Sequence, residues 1–140
     1  MVIKMLREEV RKRLVDIITE KLNPDFILLF GSYAKGTAHA ESDIDLAYIG
    51  NKQLSSYERF ILASELAEQA GCEVDLIDIT QIDTVFTIQI FEQGVPIYIH
   101  DENELIRQKM RAYSMYAVLS EQRIQVIEAI KKRGSVFGNE

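Results

Sequence analysis

The chain has 140 residues and a mass of 16.1 kDa, a length that predicts a single domain over residues 1–140 with a core of modest size. Its hydrophobic fraction of 47% and charged fraction of 27% are those of an ordinary globular protein, and its net charge of -6 argues against direct, nonspecific nucleic-acid binding. A single cysteine excludes an intramolecular disulfide, and no apolar run approaches the roughly 20 residues that a membrane span needs. Met1 is followed by charged, amphipathic sequence and not by the apolar segment of a signal peptide, so we expect a cytoplasmic protein.

The apolar residues at the start of the chain have the spacing of a helix. Apolar residues recur every three or four positions over residues 2–22, which predicts a first helix. Pro24 ends this helix, because proline disfavours helical geometry in the residue before it. The apolar run over residues 26–30 is closed by a glycine and predicts a buried strand, and residues 32–36 are too few for more than one helical turn.

The middle of the chain predicts a second strand and a second long helix. Residues 43–49 alternate in polarity, which predicts a strand with Asp43 and Asp45 on the same side. A polar loop follows, and Ser55 or Ser56 is expected to cap a helix that runs to residue 70 and ends at a glycine.

The last third of the chain predicts a second strand–helix pair and a long terminal helix. Residues 73–79 have strand character, residues 81–93 are expected to be helical, and residues 95–99 form a short strand. Asp101 is expected to cap a helix that continues to about residue 132, with a frayed tail from Gly134. The order of elements predicts an α/β (α+β) fold with a small mixed β-sheet, flanking helices and a long C-terminal helix.

A glycine and a serine at the end of the first strand predict an anion-binding turn. Gly31 has no β-carbon, so the backbone can turn sharply there and approach a phosphate closely. Ser32 offers a hydroxyl and an amide at the start of a helical turn, where free N–H groups favour anions. Lys35 lies one short turn later and adds a positive charge.

Acidic residues on the second and third strands predict a site for divalent cations. Asp43 and Asp45 are two residues apart in a strand, so their α-carbons lie roughly 6.5 to 7 Å apart on one face. Asp75 on the next strand is the best third carboxylate, as a general base or electrostatic partner, whereas Asp78 is expected on the opposite face and Glu73 nearer the strand start. Such carboxylates suit Mg²⁺ together with substrate phosphates, and two Mg²⁺ ions would activate a nucleophile and stabilise a leaving pyrophosphate.

The remaining candidate ligands have simpler interpretations. His39 and His100 are far apart in sequence and lack metal-ligand spacing, so we expect exposed loop histidines. Cys72 is expected to be a small packed side chain.

These residues resemble a known family. Phe30-Gly31-Ser32-Tyr33-Ala34-Lys35-Gly36, followed by Ser42-Asp43-Ile44-Asp45-Leu46, is similar to the signature of the polymerase-β-like nucleotidyltransferases. The length and the fuller motif resemble the minimal nucleotidyltransferase branch, the MntA-type antitoxins that are paired with HEPN-domain toxins. The resemblance implies a polymerase-β-like nucleotidyltransferase fold over the whole chain.

The resemblance also implies roles for individual residues. Gly31 and Ser32 would contact the nucleotide phosphates, and Asp43, Asp45 and Asp75 would form a catalytic, metal-binding triad. Many relatives carry arginine where this chain has Lys35, which keeps the charge but loses bidentate phosphate binding.

The implied activity is the Mg²⁺-dependent transfer of AMP from ATP to a tyrosine of a cognate HEPN ribonuclease toxin, which silences the toxin. Apolar stripes on the helices that exceed what one small core can bury favour a protein partner. Two alternatives stay open, which are a small-molecule nucleotidyltransferase of the aminoglycoside type and a non-catalytic antitoxin that acts by binding alone.

Overall fold

The computed structural model describes the backbone of residues 6–137 and the side chains of residues 6–133. Five helices and four strands alternate along this part of the chain. In chain order they are α1 (Glu8–Leu22), β1 (Pro24–Phe30), α2 (Gly31–Lys35), β2 (Ile44–Gly50), α3 (Ser56–Ala70), β3 (Val74–Asp78), α4 (Thr84–Gln93), β4 (Val95–Ile99) and α5 (Glu102–Phe137). A single 3₁₀ turn, Ile79–Gln81, follows β3. No helix within residues 6–137 is both long and apolar enough to cross a membrane.

The four strands form one mixed sheet, as the sequence predicted, and their order in it is β3-β2-β1-β4. β1 is antiparallel to both of its neighbours, β2 and β4. β2 and β3 are parallel, and α3 forms the crossover between them. The parallel register places Asp45 directly beside Asp75, so the order of strands brings together two acids that are 30 positions apart in sequence.

The sheet separates two hydrophobic clusters. On one face, α1 and α3 pack through residues such as Leu14, Ile18 and Leu66 against side chains of β1, β2 and β3. On the other face, α4 and the first turns of α5 cover Phe26, Leu28, Ala47 and Ile49. Because side chains alternate along a strand, Asp45 and Asp75 share this second face at the end where its apolar cover stops.

Three predicted helix caps are confirmed. Ser55 forms a capping box with Glu58, since the Glu58 amide donates to Ser55 Oγ at 3.1 Å and the Ser55 amide donates to Glu58 Oε1 at 3.0 Å. Gly71 ends α3 with a φ of 76°. The Asp101 carboxylate accepts from the Glu104 amide at 3.1 Å at the start of α5.

Several predicted boundaries were wrong by a few residues. α1 begins at Glu8 and not at residue 2, and residues 2–5 lie outside the described part of the chain. β1 begins at Pro24 and not at residue 26. Proline has no N–H to donate to the sheet, but it is tolerated at the first position of a strand. β2 begins at Ile44, so Asp43 precedes the strand.

Side-chain caps explain the other differences in the second half. β3 spans Val74–Asp78, since the Asp78 carboxylate binds the Thr80 amide and turns the chain into 3₁₀ geometry. α4 begins at Thr84 and not at residue 81, because Asp83 caps it by accepting from the Phe86 amide at 2.7 Å. The backbone of α5 stays helical past Gly134 to Phe137, where fraying was predicted.

Candidate nucleotide and metal site

The site is built on the junction of β1 and α2. Gly31 begins α2 with a φ of 71°, in the left-handed region that favours glycine. A β-carbon at this position would collide with Oδ2 of Asp45 and would lie 3.1 Å from its Cγ. Residue 31 is therefore glycine for two reasons, since the backbone conformation and the proximity of Asp45 both exclude a side chain.

Asp45 lies at the centre of the acidic group. It is in register with Phe30 of β1 on one side and with Asp75 of β3 on the other. Its side chain is half-buried, whereas the side chains of Asp43 and Asp75 are exposed. The Gly31 turn and the two other acids thus approach Asp45 from neighbouring elements.

The electrostatics of the group disfavour three free carboxylates. Burial and, after it, the negative charges of Asp75 and Asp43 together raise the pKa of Asp45 to about 6. The Asp75 carboxyl also lies close enough to hydrogen-bond the protonated form of Asp45. An arrangement that holds like charges together at neutral pH is stabilised by a cation between them.

Asp43 is held by a closed turn between α2 and β2. The His39 amide donates to Ser42 Oγ at 2.9 Å, and the Ser42 amide donates to the His39 carbonyl oxygen at 3.0 Å. Ala38 is fully buried and anchors the turn to the body of the protein. The backbone that carries Asp43 is therefore ordered although Asp43 lies outside the strand.

The other two predicted site residues, Ser32 and Lys35, both lie in α2. Ser32 is half-buried in the first turn of α2, and its carbonyl oxygen accepts from the Thr37 amide at 3.0 Å. Lys35 is exposed at the end of α2 and makes no ion pair among the described residues. The structure thus brings Gly31, Asp43, Asp45 and Asp75 together but does not join Lys35 to the carboxylates.

The weaker candidates also have defined places. Asp78 is buried on the opposite face of the sheet, as expected, and accepts from the Thr80 hydroxyl at 2.6 Å. Cys72 is partly buried against the cluster under α1 and α3, as predicted. His100 is exposed, while His39 is half-buried within its turn and accepts from the Glu41 amide at 3.4 Å.

Tyr33 is a neighbour of the site to which sequence reasoning gave no role. Burial raises the pKa of Tyr33, and the adjacent Cys72 thiol and the Asp43 carboxylate raise it further. Tyr33 therefore links α2 to the residues just before β3 and lies near Asp43. In the sequence, only its position directly after Ser32 in the motif indicated that Tyr33 lies near the site.

The acids suit Mg²⁺ in their chemistry, though not as a closed cage. Among residues 6–137, no three His, Cys, Asp or Glu side chains are grouped closely enough to hold a metal ion by themselves. Mg²⁺ does not need such a group, because proteins bind it through one or two carboxylates together with substrate phosphates and water. The paired oxygens of Asp45 and Asp75 next to the Gly31 turn meet that requirement.

Known proteins that are similar to this chain include nucleotidyltransferases and chains of toxin–antitoxin complexes. The curated protein adenylyltransferase MntA of Shewanella oneidensis is 33% identical over 130 residues, which are 92% of this chain and 84% of that protein. A crystal structure of a toxin–antitoxin with AMP-PNP contains a chain that is 29% identical, with a TM-score of 0.78, covering 86% of this chain and 97% of that chain. A chain in the structure of the tri-AMPylated Shewanella oneidensis HEPN toxin in complex with MNT antitoxin is 25% identical, with a TM-score of 0.73, covering 88% and 97%.

The family assignment agrees with this geometry. The sequence profile of the polymerase beta nucleotidyltransferase family matches residues 12–103, which extend from α1 through all four strands to the start of α5. The matched segment therefore contains the glycine turn and every acid described above. This chain belongs to the polymerase β nucleotidyltransferase family.

Proposed function

We propose that this protein is an antitoxin that transfers AMP from ATP to a tyrosine of a HEPN-domain toxin and thereby neutralises it. The observation that carries the proposal is the pairing of Asp45 with Asp75 beside the Gly31 turn. This pairing offers a place for a nucleotide's phosphates and a cation in contact with each other. The similarity to a protein named adenylyltransferase, and to a chain from a complex that contains an AMPylated HEPN toxin, supports a protein acceptor.

The phosphates are assigned to the turn. The amide groups of Gly31 and Ser32 and the Ser32 hydroxyl would donate hydrogen bonds to phosphate oxygens, since α2 starts here and its first amides are not used within the helix. The absence of a side chain at Gly31 lets the phosphates approach the backbone. Lys35 would add a long-range attraction, because it is exposed and unpaired among the described residues.

The acids are assigned to metal binding and proton transfer. Asp43, Asp45 and Asp75 would hold Mg²⁺, which when bound neutralises phosphate charge and lowers the pKa of the attacking hydroxyl. Asp75 is exposed and can reach an incoming acceptor, so we assign it to the phenolic proton as a general base. The tyrosine oxygen attacks the α-phosphorus, the bond from this phosphorus to the bridging oxygen breaks, and pyrophosphate leaves.

A direct assay tests the transfer. The purified chain is incubated with ATP labelled at the α-phosphate and with its cognate HEPN protein, and the labelled residue is mapped by mass spectrometry. We expect label on a tyrosine of the HEPN protein and a loss of at least roughly a hundredfold in rate for Asp43→Asn/Asp45→Asn. The matched control is Asp16→Asn, the same chemical change on the exposed side of α1, which should retain full activity.

The two alternatives are separated by the same variants. A HEPN protein that stays unlabelled while ATP still binds contradicts protein adenylylation. Neutralisation of the toxin by Asp43→Asn/Asp45→Asn at wild-type level would instead indicate an antitoxin that acts by binding alone. Turnover of an aminoglycoside would favour a small-molecule enzyme.

A further inference from the structure

The part of α5 beyond Ala112, its distal part, carries an apolar surface that no other described element covers. Ala112 is the last buried side chain of the helix among residues 6–133, and the backbone continues as a helix to Phe137. We define the distal face by six exposed side chains that share one side of this part. They are Tyr113, Tyr116, Ile124, Val126, Ile127 and Ile130, exposed by between 38% and 61%. Met115 and Val118 are also exposed but lie outside the sector that these six occupy.

The size of this face is unusual for a free helix. Residues 113–133 extend about 30 Å at the usual rise of an α-helix. At about 100° per residue, the six side chains spread over roughly 160° of the circumference. A helix that is apolar over so wide a sector is normally buried against other elements, so a binding partner is expected.

The width of the face indicates what kind of surface covers it. A single partner helix in a two-stranded coiled coil covers only a narrow seam of positions spaced three and four apart. Tyr113, Ile124 and Ile127 lie on one such seam, whereas Val126 and Ile130 lie on the other side of Tyr116. One helix cannot reach both sides, but a groove between two helices can.

The charges on the face indicate the chemistry of that groove. The charged residues within the apolar sector are Arg123 and Lys131, and neither makes an ion pair among the described residues. The acids of the distal part of α5, Glu121 and Glu128, lie at the edge of the sector or beyond it. Burying an arginine without a counter-charge is costly, so the partner is expected to supply carboxylates opposite these two residues.

The same charges argue against a second copy of this chain as the occupant. A twofold contact presents the same face from both subunits. Arg123 lies near the middle of the sector and would then face Arg123 or Lys131 of the other copy, whereas the acids lie at the edge of the sector or beyond it. Like charges in a desolvated contact oppose association.

We propose that the distal face is the docking surface for the acceptor protein, which presents there an apolar groove between two helices flanked by aspartate or glutamate. The inference rests on the proposed function, because the acceptor is the protein that receives AMP. In this arrangement the acceptor docks on the distal part of α5, whereas the reaction takes place on β2 and β3. The two can therefore be impaired independently.

The test measures binding of the cognate HEPN protein to this chain by isothermal titration calorimetry. We expect Ile124→Asp/Ile127→Asp to weaken the affinity by roughly 30-fold or more, since central apolar contacts carry most of the energy of an interface. Arg123→Glu should weaken it by roughly tenfold, because a carboxylate would then face carboxylates. The matched control is Gln125→Asp, on the polar side of the same helix, which should change the affinity less than about threefold.

Three further readouts separate the explanations. Asp43→Asn/Asp45→Asn should bind like the wild type, and thermal unfolding of the Ile124→Asp/Ile127→Asp variant should be unchanged, since both isoleucines are exposed. In the transfer assay this variant should show a raised KM for the acceptor with kcat retained at saturation. Weakened binding without any label from the wild type would support the docking surface and contradict only the transfer.

Two results would overturn the inference. The first is wild-type affinity in the Ile124→Asp/Ile127→Asp variant. The second is a stable dimer of the isolated wild-type chain in sedimentation analysis that this variant converts to a monomer, since the face would then be a contact between two copies.

Discussion

The α-carbon of Gly31 faces the carboxylate of Asp45 so closely that a β-carbon on residue 31 would overlap Oδ2. The contact joins the start of α2 to the start of β2, so the turn proposed to hold phosphates and the acid proposed to hold Mg²⁺ are one structural unit. A change in either residue is therefore expected to disturb the other.

Gly31→Ala should impair both stability and nucleotide binding. The new methyl group would strain a backbone at φ 71° and displace the Asp45 carboxylate. Gly71→Ala is the matched control, because Gly71 has a φ of 76° but open space around its α-carbon. We expect Gly71→Ala to cost about 1 kcal/mol in thermal unfolding with unchanged ATP affinity. ATP binding by Gly31→Ala that equals that of Gly71→Ala would show that the contact with Asp45 is unimportant.

Binding of MgATP should weaken at acid pH. The pKa of Asp45 is raised to about 6, chiefly by burial, so below that pH the carboxyl is mostly protonated and must lose its proton to bind a metal. The affinity should fall by up to about tenfold per pH unit below 6. Asp75→Asn should lower the pKa of Asp45, because it removes one of the charges that raise it. An NMR titration of the metal-free protein measures this directly, and an unchanged pKa of Asp45 in the variant would contradict the pairing.

Asp45→Asn should stabilise the metal-free protein at neutral and alkaline pH. The pKa of Asp45 rises from 3.8 to about 6 on folding, so the native state prefers the protonated acid and loses stability as the pH rises through that window. After allowance for solvent screening we expect the variant to gain about 1 kcal/mol at pH 8, or about 3 °C in Tm, and almost nothing at pH 4. Asp16→Asn serves as the control. A variant that is less stable at pH 8 than the wild type would show that the carboxylate is held by a favourable contact.

Tyr48→Phe should be tolerated and slightly stabilising. Tyr48 is fully buried on β2, and its hydroxyl makes no hydrogen bond within the described part of the protein. Burial raises the pKa of Tyr48 and the nearby Asp78 carboxylate raises it further, whereas the guanidinium of Arg59 lowers it; the net shift is upward, so the hydroxyl stays protonated. Removing an unsatisfied hydroxyl should add about 1 kcal/mol to the free energy of unfolding. Tyr57→Phe, at an exposed position, should change it by less than about 0.5 kcal/mol. A loss of stability in Tyr48→Phe would reveal a partner for the hydroxyl, such as water.

Local patterns predicted most of the elements because their causes are local. Apolar spacing identified the long helices α1 and α5, and Ser55, Gly71 and Asp101 marked helix ends because a cap depends on neighbours within four residues. The start of β2 at Ile44 was missed because strand pairing determines it, whereas the alternation of polarity begins one residue earlier. The start of α4 at Thr84 was missed because the Asp83 cap, although local, was not identified.

The site was predicted in its composition but not in its geometry. Two-residue spacing suggested that Asp43 and Asp45 share a face, and strand character nominated Asp75. The direct pairing of Asp45 with Asp75 depends on the order and register of the sheet, which long-range packing sets. The raised pKa of Asp45 depends on burial and on that pairing, so no local pattern could reveal it.

β3 is one of the two edge strands of the sheet, so the site is among the parts of the protein that open first when the structure loosens. It pairs with β2 along one side only in the described part of the chain, and it carries Asp75. The free energy needed to open an edge segment is lower than the free energy needed to unfold the whole protein. A molecule with β3 detached would keep β1, β2 and β4 in place yet lack one of its acids. Enzymatic assays should therefore detect damage from heat, denaturant or proteolysis before circular dichroism does.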